Sequence, residues 1–272
     1  MRSTPWRTKA AARLVAATRA SDMDEAVQRY VSGLRQKALQ ADISAGVAEP
    51  PYDPGALARV LGVKDVAARV LNCDGQVRLD PDDGLPIIEF DSRSTRGRKR
   101  FTIAHEVGHM VLWELCGGVQ KRREMRTGVV LAETEIERLC NKLAVEILAP
   151  RSEVKKLWAT KPSANLPRRT VAALLEIHRR YDVSLRFAAV RIRELHAPHA
   201  SVALVNFARR EFDWRIGVHP LRVWKAIDDW ITDHPEATEG SGSYWEHGRS
   251  GVNTRSFWLK RISSDRLLIV QV

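Results

Sequence analysis

Two histidines four residues apart, with a glutamate beside the first, stand at His105-Glu106-Val107-Gly108-His109. An α-helix turns once in about 3.6 residues, so positions i and i+4 share a face and both imidazoles can approach one ion. Glu106 then projects toward the open position of that ion. There a carboxylate can take a proton from an attacking water and return it to a leaving amine. Zinc makes such chemistry feasible at neutral pH, because it lowers the pKa of its water to about 7. The flanking residues are Phe101, Ile103, Ala104, Met110, Val111 and Leu112. Three polar groups are costly to bury in so apolar a helix without partners. That favours a metal centre over a pair of satisfied core histidines, and the reaction expected is peptide-bond hydrolysis.

A catalytic zinc usually takes three protein ligands. Downstream, a second apolar helix expected over Glu133–Leu148 offers Glu133, Glu135 and Glu137. We favour Glu137, because Asn141 follows one turn later on the same face and could accept a hydrogen bond from a ligand imidazole. Glu133 and Glu135 read instead as negative charge favourable at a helix N-terminus. Cys140 reads as core packing.

Other elements must position these groups. Asp22–Gln40 predicts a helix, with Ala26, Val27, Tyr30, Leu34 and Leu39 at near-helical spacing. A proline-containing connector, Gly46–Gly55, leads to a short helix that opens at Pro54 and stops at Gly62. Val66–Asn72 and Gln76–Leu79 predict strands joined by a turn at Asp74-Gly75, and Pro86–Phe90 predicts a third. Ser92–Arg100 reads as a basic loop before an apolar helix over Phe101–Leu115, which Gly117-Gly118 ends. A polar, basic loop is expected from there to about Gly128. Val171–Arg180 and Leu185–Leu195 predict a helix pair around a turn at 181–184, similar to a helix-turn-helix. After Pro198, strands are expected over Ser201–Phe207, Phe212–Ile216, Ser256–Arg261 and Leu267–Val272. A helix over Pro220–Ile231 lies among them, and Gly240–Ser243 reads as a flexible loop.

Arg100-Phe101-Thr102-Ile103-Ala104-His105-Glu106-Val107-Gly108-His109 resembles the core of the ImmA/IrrE-type metallopeptidases. So does Glu137-Arg138-Leu139-Cys140-Asn141-Lys142-Leu143-Ala144, followed by Ile147-Leu148-Ala149-Pro150. The resemblance covers about Pro51–Leu195. It implies a zincin-like fold, Zn²⁺ held by His105, His109 and Glu137, Glu106 as general base, and a helix-turn-helix repressor as substrate. The fold class expected is therefore α+β: a zincin-like core, a helix-turn-helix-like segment and a small C-terminal α+β module. The boundaries expected are 1–50 for a basic arm and helix, 51–160 for the core, 161–198 for the helical segment and 199–272 for the C-terminal module.

The 272 residues can bury a real core, and 44% hydrophobic with 28% charged residues is ordinary for a globular protein. The net charge of +11 suits an anionic partner or one that sits on nucleic acid. Arg2–Arg19 is basic and acid-free, and it reads as a partly helical arm. Three widely spaced cysteines argue against a disulfide framework and for a reducing, cytoplasmic setting. No apolar run is long enough to span a bilayer, so no membrane partner is expected. Candidate oxyanion or substrate contacts are His178 and Tyr181. Arg96, Arg98, Lys99 and Arg186 are candidates for touching substrate or nucleic acid. Tryptophans 214, 224, 230, 245 and 258 concentrate in the C-terminal module and suit a core, or a sensor or docking surface. The leading expectation is a zinc endopeptidase that makes a limited cut in a helix-turn-helix repressor, inducing stress-response or mobile-element genes. The competing ones are a DNA- or protein-binding regulator built on a zincin body, and a toxin–antitoxin or phage-defence component. An intact Glu106 favours hydrolysis, since a pure binder has no need of a general base.

Overall fold

A computed structural model describes residues 8–41, 43, 46–117, 130–161, 165–196, 198, 200–216, 224–233, 235–248 and 251–271. The fold is mixed α+β, with a three-stranded and a five-stranded sheet among the described residues. The chain divides into two compact units, Met1–Arg151 with Arg180–Val183, and Ser152–Arg179 with Ser184–Val272. The basic loop expected before Gly128, the first seven residues, Gly118 and residues 220–223 lie outside the described residues.

In the first unit, α1 (Lys9–Thr18) buries Ala10, Ala11 and Leu14. It packs on α2 (Met23–Gln40) and α4 (Arg96–Cys116), so the described part of the basic arm is a docked helix. Asp22 caps α2, its Oδ1 accepting the Glu25 N–H at 2.8 Å. The buried stripe of α2 includes Ala26, Val27, Val31, Leu34 and Ala38, while Leu39 faces outward. The expected phase thus slips by one residue at the last turn. α3 (Pro54–Val60) starts on Asp53, with Pro54 in its first turn.

Strands β1 (Asp65–Arg69), β2 (Gly75–Leu79) and β3 (Pro86–Asp91) form a sheet of order β1-β3-β2. The hairpin expected at Asp74-Gly75 does not form. β3 lies between the other two, parallel to β1 and antiparallel to β2. Burial explains the order: Ile87 and Ile88 are enclosed, whereas β1 and most of β2 are at least partly exposed, and the most apolar strand takes the centre.

The basic stretch is a second correction. α4 begins at Arg96, so Arg96, Arg98, Lys99 and Arg100 occupy its first turns rather than a loop. Cations at a helix N-terminus oppose the helix dipole, and here acidic partners offset them. Arg96 Nε lies 2.7 Å from Asp182 and Arg98 pairs with Asp74. Gly117, at φ 92°, ends the helix in the left-handed region as expected. α5 (Val130–Leu148) packs along α4. Glu135 on α5 is buried, and its Oε1 accepts the Thr8 N–H at 2.8 Å, closing the start of α1.

In the second unit, α6 (Arg151–Ala159) was not anticipated. α7 (Leu166–Tyr181) starts earlier than expected, because Asn165 accepts the Arg168 N–H at 2.9 Å and Pro167 favours a first turn. α8 (Leu185–Leu195) matches its expected span. Strands β4 (Ser201–Asn206), β5 (Glu211–Ile216), β6 (Glu239–Gly248), β7 (Gly251–Arg261) and β8 (Arg266–Gln271) form an antiparallel sheet of order β5-β4-β8-β7-β6. Helix α9 (Trp224–Asp233) covers it through Ile227 and Trp230, which pack with Val205, Phe257, Leu259 and Ile269. Gly240–Ser243 is therefore strand, not a flexible loop. The Trp230 indole sits where a Gly240 side chain would be, since a Cβ there would lie 2.4 Å from its Nε1.

Candidate metal centre

The first unit encloses a cavity of about 600 Å³. One wall is the face of α4 that carries Arg98, Phe101, Thr102, His105, Glu106, His109 and Trp113. These positions follow helical spacing, so this wall is legible in the sequence. Ile136, Glu137 and Asn141 of α5 form a second wall. Asp74, Gly75, Gln76 and Val77 form the third, along the outer edge of β2. Sequence reasoning missed the strand residues, because nothing local says which strand will lie over α4.

Two glycines allow these walls to close. A Cβ on Gly75 would fall 2.3 Å from Thr102 Cγ2 and 3.1 Å from the Glu89 carbonyl. A Cβ on Gly108 would fall 3.0 Å from Cys140 Cα and 3.2 Å from its Cβ. So Gly75 lets β2 settle onto α4, and Gly108 lets α4 and α5 touch backbone to backbone.

That approach brings the predicted ligands together. Glu137 Oε2 lies 3.0 Å from His105 Nε2, and Glu137 Oε1 lies 3.3 Å from His109 Nε2. The two imidazole centroids are 5.0 Å apart. On the far side of the first ring, Asn141 Oδ1 sits 3.0 Å from His105 Nδ1. An amide oxygen only accepts, so Nδ1 carries the proton and Nε2 turns a lone pair toward Glu137. Burial, followed by the neighbouring His109, lowers the pKa of His105. The hydrogen bond from His109 leads the effects that hold Glu137 below the usual carboxylate range. His105 Nε2 and the Glu137 carboxylate thus offer two adjacent donor atoms to a cation. The donor set fits a divalent metal.

Glu106 is buried and lines the same cavity. Arg98 also lines it, paired with Asp74. The remaining candidates are not on the cavity wall. Arg96 and Lys99 sit in the first turns of α4. Tyr181 is buried against Tyr52, with ring centroids 6.3 Å apart, and its carbonyl accepts from Arg100 at 3.4 Å. His178 on α7 and Arg186 on α8 belong to the second unit, the first half-buried and the second exposed.

The family model for Peptidase M78, the IrrE N-terminal-like domain, matches residues 58–193. The chain belongs to peptidase family M78. That span contains both helices of the metal centre and all three strands of the adjoining sheet. No curated protein sequence matches the chain. A solved structure described as a Mycobacterium tuberculosis transcriptional regulator is similar over 97% of this chain and 80% of that one, with a TM-score of 0.48 and 13% identity. Within this M78 member, His105, His109 and Cys140 also bring donor atoms within 4.8 Å of one another. Cys140 is fully buried, and burial, with the charges of Glu137 and Glu106, pushes its thiol well above the usual range. Without a cation it stays protonated. Glu137 is the more direct partner of the two imidazoles, since it already contacts both.

Proposed function

We propose that this M78 member is a zinc-dependent endopeptidase with a zincin-like core that makes a limited cut in a helix-turn-helix transcriptional repressor. The observation that carries this reading is the convergence of His105, His109 and Glu137 on one point of a cavity that Glu106 also lines. Those three side chains would hold a divalent cation, which would supply Lewis acidity at neutral pH. Glu106 takes the proton of the attacking water and delivers it to the leaving amide nitrogen, which departs as a neutral amine. Asn141 keeps His105 oriented with Nε2 toward the centre.

β2 ends its sheet, and its residues 75–77 line the cavity. An extended peptide can add along that edge by main-chain hydrogen bonds, which suits an exposed linker or helix end of a folded target. Direct DNA recognition by α8 has less support, because Arg191 is buried beside Glu194 and only Arg186 of the α8 arginines is exposed. No described helix is long and apolar enough to cross a membrane.

The test is incubation of the zinc-loaded full chain with the helix-turn-helix protein encoded nearest to its gene, and separately with unfolded casein. A single cut in the former and little in the latter is expected. Efficient casein degradation with the repressor untouched would mean a general peptidase.

A further inference from the structure

The mechanism above leaves one buried nucleophilic group beside the centre without a role. Glu137, Cys140 and Asn141 follow i, i+3, i+4 spacing on α5 and so share a face. Glu137 and Asn141 both reach His105. Cys140 lies beside Glu137 on that face and abuts Gly108, one of the residues between the two histidines on α4. Its sulfur comes within 4.8 Å of a donor nitrogen on each imidazole. Cys140 is absent from the cavity wall, whereas His105, His109 and Glu137 all lie on it.

We propose that Cys140 supplies a thiolate donor to the cation of the His105–His109 pair, from the buried side of the centre. The proposal rests on the reading of this site as a metal centre. Coordination replaces the S–H bond with a sulfur–metal bond, and the proton leaves to solvent. A soft thiolate in the donor set turns the site toward thiophilic ions such as zinc, cobalt and cadmium, and away from manganese and magnesium. Cys140 would be a fourth protein donor beside His105, His109 and Glu137, so the attacking water would enter as a fifth ligand from the cavity side, next to Glu106.

Cobalt(II) titration of the full chain tests this through its spectrum, with no need of a substrate. The wild-type protein is expected to bind one cobalt and to show an intense near-ultraviolet sulfur-to-cobalt charge-transfer band. Cys140→Ala and Cys140→Ser should lose that band, and Cys73→Ser should keep it. Removing an outer-shell partner already costs about 10–100-fold in metal affinity. Cys140→Ala is therefore expected to weaken zinc binding by at least about tenfold, with a smaller loss for manganese. X-ray absorption of the wild-type zinc protein gives a second readout that needs no variant, with one sulfur expected at about 2.3 Å. One bound cobalt without the band, together with a zinc shell lacking sulfur, would overturn the proposal and leave the His105–His109–Glu137 centre standing. A band that survives in Cys140→Ala would also overturn it. Failure of the wild type to bind either metal any better than His105→Ala would remove the metal-centre reading as well.

Discussion

Helices α4 and α5 bury apolar stripes much as α7 and α8 do, but they differ in what else they bury. α4 and α5 enclose Ala104, Val107, Leu112, Leu139, Leu143 and Ile147, and on an adjoining face they gather His105, Glu106, His109, Glu137 and Asn141 around a cavity. α7 and α8 enclose Leu174, Ile177, Ala188, Ala189 and Ile192, while Arg179 and Arg186 stay exposed. Thr170 and Arg191 are buried too, and each has a partner: the Thr170 hydroxyl donates to the Leu166 carbonyl at 2.8 Å, and Arg191 pairs with Glu194 at 3.2 Å. A polar group can be buried because an adjacent charge satisfies it or because a ligand will. In α4 and α5, Glu137 lies 3.0 Å from His105 and 3.3 Å from His109 beside an open cavity, an arrangement that leaves a place for a cation shared by all three.

The largest expected effects separate these helices. His109→Ala should lower zinc affinity by more than about 100-fold while leaving the thermal unfolding of the metal-free chain nearly unchanged. Leu174→Ala should do the opposite, costing about 2–5 kcal/mol of stability through the cavity it leaves, with zinc stoichiometry retained. Calorimetric zinc titration and denaturant unfolding read the two effects. Equal losses of zinc in both variants would erase the distinction.

Gly108→Ala is expected to act on both properties at once. The added methyl meets backbone atoms of Cys140 rather than a side-chain tip, so α4 and α5 must move apart. Such overpacking costs about 1–3 kcal/mol, and the separation pulls Glu137 from the histidines. A variant of unchanged stability and zinc affinity would show that the close approach is not required.

The smallest effect concerns Asp24, far from the chemistry. It accepts hydrogen bonds from Lys142 at 2.7 Å and Arg151 at 2.9 Å. Burial raises its pKa, but these two cations outweigh burial and leave it below its ordinary value. A carboxylate with a lowered folded pKa stabilises the protein above its unfolded pKa, near 4, and the contribution fades as pH falls through the folded value. The Asp24 side chain is partly exposed, so solvent screening limits the effect. Asp24→Asn should cost about 0.5–1 kcal/mol near neutrality, and the difference from wild type should shrink as pH falls below the ordinary carboxylate range and through the lowered folded value. A difference that grows on acidification would reverse the sign.

Much of the centre was legible because a helix makes local spacing into spatial proximity. Spacing sets His105 with His109 and Glu137 with Asn141 on shared helix faces, and the distances bring the two pairs together. The β2 wall was not legible, since the placement of β3 between β1 and β2 depends on which strand is most apolar overall rather than on the turn residues beside Gly75. The start of α4 is not legible, because a run of arginines suggests a solvated loop. The partners that make it helical, Asp74 and Asp182, lie far along the chain. Gly240–Ser243 carries a linker composition, yet it pairs along β7 as strand, and Gly240 leaves room for the Trp230 indole.

The account turns on Glu106 as the proton carrier of a hydrolytic reaction. The most direct measurement compares the wild-type chain with Glu106→Gln, both shown to hold one zinc and to melt alike, in the cleavage of the repressor substrate. The variant is expected to lose at least about 10²–10⁴-fold in turnover, the usual worth of general acid–base action. Wild-type turnover from a correctly zinc-loaded Glu106→Gln protein would contradict the account.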